Sequence, residues 1–67
     1  MTIGELDSLI SQMLTVGPTT ARAIHTNAED RCTLYDVEAA LRIWVRNGRA
    51  REVRSGMYEL SIIEGAE

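Results

Sequence analysis

Apolar residues recur along this chain with two different periods. Ile3, Leu6, Leu9, Ile10, Met13 and Leu14 are spaced by three and four, the pattern of a helix that buries one stripe. Thr2 and Glu5 precede the stripe as a capping-box pair. Together they predict a first helix over about residues 3–14. Its other face holds Glu5, Asp7, Ser8, Ser11 and Gln12 and is acidic or neutral. Gly17-Pro18 then breaks the chain, with proline placed at the start of a new helix. Thr19 or Thr20 caps that second helix, which runs to about Ala28 on a thin apolar set of Ala21, Ala23, Ile24 and Ala28. Residues 27–31, Asn-Ala-Glu-Asp-Arg, contain no glycine and predict a loop.

The third helix carries the strongest signals. Thr33 is its N-cap, and Asp36, three residues on, can reach back to it. Cys32 and Val37 are placed for a hydrophobic staple. Val37, Ala40, Leu41, Trp44 and Val45 follow at helical spacing on one face. Asn47-Gly48 ends the run, because glycine can take the left-handed conformation that closes a helix. Beyond it the period changes. Ala50 and Val53, then Tyr58, Leu60 and Ile62, flank Arg54-Ser55-Gly56, a tight turn between two strands. Ser61-Ile62-Ile63 continues the second strand, and Glu64–Glu67 is expected to fray.

Composition narrows the class. Sixty-seven residues suit one domain, residues 1–67, with a core that a partner would help to stabilise. Trp44 is the only tryptophan and there is no phenylalanine, so Trp44 should be the largest core contribution. One cysteine and one histidine form neither an internal disulfide nor a Cys/His metal site, so no metal and no cofactor are expected. No stretch approaches the ~18–20 apolar residues of a membrane span, and no secretory signal is evident. The expected location is the cytoplasm, with no membrane contact.

The net charge of −3 hides a strong polarity. Residues 1–41 carry six acids and two arginines. Residues 42–56 carry Arg42, Arg46, Arg49, Arg51 and Arg54 against Glu52 alone, and residues 57–67 are acidic again. Arginine presents a planar fork suited to phosphates and guanine edges. The plainer explanation is a solvated face, or pairing with the acidic segments.

The order helix, helix, loop, helix, hairpin resembles a winged helix-turn-helix domain, and the resemblance spans about residues 3 to 61. It rests on Val37-x-x-Ala40-Leu41-x-x-Trp44-Val45-x-x-Gly48, then Val53-x-x-Gly56-x-Tyr58-x-Leu60, with Thr20–Ile24 similar to the start of the preceding helix. It implies an α+β fold of three helices with a C-terminal β-hairpin wing. It also implies that Thr15-Val16 forms a short strand pairing with the wing. Ala23 stands where that family often has a carboxylate. His25 stands where it usually has a small residue, and is read as a partly buried or rim histidine.

The resemblance implies a small transcriptional regulator that reads duplex DNA with helix 33–47 and the 49–62 wing. The DNA-binding residues would be Thr33, Tyr35, Arg42, Arg46, Arg49, Arg51 and Arg54, with a homodimer expected. Asp36 and Glu38 depart from a comfortable DNA binder. A carboxylate can accept from cytosine N4 but is repelled by phosphate. The alternative is a winged-helix adaptor or inhibitor that binds another protein and no DNA. There is no phosphate loop, nucleophile–base pair or metal cluster, so no catalytic residues and no enzyme are expected.

Overall fold

The computed structural model describes residues 1–29 and 31–61. The first helix, α1, spans Ile3–Val16. Its capping box forms as predicted: the Thr2 hydroxyl accepts from the Glu5 N–H at 3.1 Å, and the Glu5 carboxylate accepts from the Thr2 N–H at 2.9 Å. Leu6, Ile10 and Leu14 are buried along one stripe. Ile3 lies on the same stripe but is 88% exposed, because the first turn of α1 overshoots the core. The helix also outlasts its predicted end. Thr15 and Val16 are helical, not a strand. The Thr15 hydroxyl is satisfied by the Ser11 carbonyl at 2.7 Å, and no glycine or proline intervenes before Gly17.

The strand that was expected at Thr15-Val16 lies four residues later. β1 is Thr19–Thr20, just past Pro18. Proline steers the residue before it toward extended backbone, and Gly17 is extended. Thr20 then caps α2, Ala21–Asn27, its hydroxyl accepting from the Ala23 N–H at 3.1 Å. Ile24 and Ala28 are fully buried. The turn after α2 has no glycine, and Glu29 supplies the left-handed residue with φ of 55°.

Helix α3 spans Leu34–Arg46 and opens with a second reciprocal box. The Asp36 N–H donates to the Thr33 hydroxyl at 3.0 Å, and the Thr33 N–H to the Asp36 carboxylate at 3.1 Å. Val37, Leu41 and Trp44 form its buried stripe. Val45, predicted on that stripe, is 39% exposed. It sits one residue past Trp44, about 100° around the helix and on the flank. Gly48, with φ of 80°, closes the helix end, and the Arg49 N–H reaches the Trp44 carbonyl at 2.9 Å.

Two strands complete the fold: β2, Ala50–Arg54, and β3, Met57–Leu60. The sheet is antiparallel in the order β1-β3-β2, so β3, the last of the described strands, is central. Pairing of β2 with β3 runs Ala50↔Leu60, Arg51↔Glu59, Glu52↔Tyr58, then skips to Arg54↔Met57. Val53 is the residue left over at this irregularity, and it is 43% exposed. Ala50 and Val53 are an odd number of residues apart, so a regular strand cannot turn both inward. Only Ala50 is buried. The core therefore joins Leu6, Ile10 and Leu14 of α1, Ile24 of α2, Val37, Leu41 and Trp44 of α3, and Ala50. Leu9, Met13, Cys32, Ala40, Tyr58 and Leu60 pack at its edge. The described residues form a small α+β domain of three helices and a three-stranded sheet. The expected contributions of Ile62 and Ile63, and the end of the wing at residue 62, lie outside the described residues. None of the described helices is long and apolar enough to cross a membrane.

Candidate nucleic-acid interface

The face of α3 opposite its buried stripe carries Tyr35, Glu38, Arg42 and Arg46, all exposed, with Tyr35 at 69%. Arg42 and Arg46 follow at i and i+4, so they line one side of the helix. Neither makes an ion pair or side-chain hydrogen bond among the described residues, and the same holds for Arg54 at the end of β2. These three guanidiniums are the part of the predicted arginine set that faces solvent unengaged.

The other predicted residues have work inside the fold. Thr33 is committed to the α3 cap. Arg51 sits across from Glu59 in the β2–β3 register and is held by it in a hydrogen-bonded ion pair. Arg49 stacks on the Trp44 ring, 3.8 Å from its centroid, and lies 3.6 Å from the Asp7 carboxylate. The Trp44 indole N–H donates to that same carboxylate at 2.6 Å. Asp7 thus leaves the polar outer face assigned to it and ties α1 to α3 and to the root of the hairpin. No sequence signal marks this contact, since Asp7 and Trp44 are 37 residues apart.

The hairpin turn is locked by a residue that sequence reasoning passed over. The Gly56 N–H donates to the Glu52 carboxylate at 2.8 Å, and Gly56 takes φ of 82°. A carboxylate four residues before a turn glycine is the available signal. Helix and hairpin meet around Tyr58. Burial raises the Tyr58 phenol above its usual 10.0; Glu52 and, more weakly, Glu38 add to the rise, while Arg42 opposes it. Glu38 and Arg42 of α3 and Glu52 of β2 therefore act on one spot of β3.

His25 is partly buried, as expected, and its Nε2–H donates to the Cys32 carbonyl at 3.0 Å, fastening α2 to the segment before α3. Cys32 is partly buried against the core. Among the described residues, no three His, Cys, Asp or Glu side chains gather into a group able to hold a metal ion. The chain matches no family model, and no curated protein or solved structure is significantly similar to it.

Proposed function

We propose that this chain is a small winged-helix regulator that binds duplex DNA. On this reading α3 lies in the major groove and the β2–β3 hairpin is the wing against the flanking backbone. The observation that carries the reading is the set of unengaged guanidiniums, Arg42 and Arg46 on the outer face of α3 and Arg54 on the hairpin, in a chain of net charge −3. Free arginines on the outer face of a helix in an acidic chain offer a place for a polyanion. One small reading head gives limited specificity, so the regulator acts as a homodimer on two half-sites about one helical turn apart. A single reduced cysteine fits a cytoplasmic setting.

The test is fluorescence anisotropy of labelled duplexes across a salt series. Affinity should fall steeply as salt rises, because neutralised phosphates release counterions. Arg54→Ala should weaken binding about equally on every sequence and reduce the salt slope by roughly one. Arg42→Ala should cost about 1–3 kcal/mol on the preferred site. Arg51→Ala and Arg49→Ala should do less, since Glu59 and Asp7 already hold those guanidiniums. The second reading is a module that docks on protein through α3, favoured by exposed Tyr35, Ile43 and Val45. It predicts negligible duplex affinity even at low salt.

A further inference from the structure

The carboxylates of the described residues separate into two groups. Glu5 and Asp36 close capping boxes, Asp7 holds Trp44 and Arg49, Glu52 holds the hairpin turn, and Glu59 holds Arg51. Glu38 and Glu29 make no side-chain hydrogen bond or ion pair among the described residues. Glu29 lies in the turn after α2. Glu38 lies on the outer face of α3, four residues before Arg42. It is therefore a carboxylate without an intramolecular task, one helical turn from a free guanidinium and on the same face.

For a surface that meets phosphates, such a carboxylate is a cost unless something in the groove repays it. In the major groove cytosine repays it, because its N4 amino group is a donor that points outward. Thymine offers only an acceptor and a methyl group there, and guanine two acceptors. Adenine has an amino group but places an acceptor, N7, beside it. Resting on the duplex-binding reading above, we propose that Glu38 is a specificity-determining residue that selects a cytosine, with Arg42 taking guanine O6 and N7 one turn along the same helix. The selection works largely by rejection. Glu38 repels the backbone on every duplex, and the repulsion is offset only where a cytosine N4 amino group donates a hydrogen bond to its carboxylate. Arg42 supplies the matching attraction, and a C·G-containing step satisfies both side chains.

The experiment is selection from a duplex pool with a randomised centre, run at one low salt concentration with the wild-type chain and with Glu38→Gln. Circular dichroism checks that both are folded. The wild type should enrich cytosine at one position by about tenfold over the other bases, the ratio expected of one good base contact. In Glu38→Gln that preference should vanish and shift toward adenine, since an amide pairs with adenine N6 and N7. The remaining positions should keep their bases, and the variant should retain more of the unselected pool. If both proteins enrich the same base at every position, or the position that changes was not cytosine, Glu38 does not read cytosine while duplex binding stands. If neither protein retains any duplex, the DNA function itself fails and this inference with it.

Discussion

At the scale of single residues, the strongest sequence signals were local and the fold honours them. Thr2, Thr20 and Thr33 cap their helices, and Gly48 and Gly56 take positive φ. Each of these needs only its neighbours within a few residues, which is why the sequence alone reveals it. Trp44 was expected in the core and is 3% exposed. Trp44→Ala should cost roughly 3–5 kcal/mol, measured by urea denaturation. A cost under about 1 kcal/mol would mean that the indole is not packed as the structure has it. Glu29 offers an opposite test. A left-handed non-glycine residue costs about 1–2 kcal/mol, of which glycine gives back part through its looser unfolded chain. Glu29→Gly should therefore raise stability by roughly 0.5–1 kcal/mol in the same denaturation experiment. Destabilisation would show that the glutamate side chain has a role in the turn.

At the scale of elements, helix ends and strand faces were less legible than caps. Residues 15 and 16 extended α1 because nothing local stops a helix there, and the strand formed only after Pro18 had forced extended backbone. The exposure of Val53 was not legible, because the hairpin register, with its irregularity between Glu52 and Arg54, is set by pairing with β3 and not by composition. Charged side chains were the hardest to place. Whether an arginine is free or engaged depends on what lies across a strand or on another helix, as Arg51 with Glu59 and Arg49 with Asp7 illustrate.

The α1 cap yields a prediction about acid. The Thr2 backbone N–H, the largest influence, holds the Glu5 carboxyl below its ordinary 4.5, and the chain-terminal amine and Arg31 act in the same direction. Because the folded value is depressed, the ionised cap stabilises the fold above about pH 4.5. That contribution is lost as pH falls through the lowered value. Thermal melts of wild type and Glu5→Gln should therefore converge in acid, with the variant losing less stability between pH 5 and pH 3 (about two pH units spanning the ordinary carboxylate range). Parallel pH profiles for the two proteins would show that Glu5 is not linked to folding.

At the scale of the whole molecule, the three-helix and hairpin plan was visible in the order of periods along the chain, while the network joining its ends was not. Asp7 bridges Trp44 and Arg49 over a sequence separation that no local pattern can reveal. Asp7→Ala should leave the indole N–H without its acceptor and Arg49 without its counter-charge. The expected loss is about 1–3 kcal/mol, with a shift in Trp44 fluorescence in the native state. In an Arg49→Ala background the loss should be smaller, and a double-mutant cycle that shows strict additivity would mean the two contacts are independent.

The central place of β3 in the sheet has a consequence for how the chain is made. Thr19 pairs with Tyr58, so the edge strand near the amino end has no partner until the ribosome has delivered residues 57–60. A nascent chain that has reached only Arg54 contains the segments of β1 and β2 but not β3, the one strand with which either of them pairs. The sheet is completed only when β3 has been synthesised, and its pairing with β1 is long-range and slow to search for. Assembly is therefore expected after, and not during, translation of the first fifty-odd residues, leaving the apolar stripes of α1 and α3 open to chaperones in the interval.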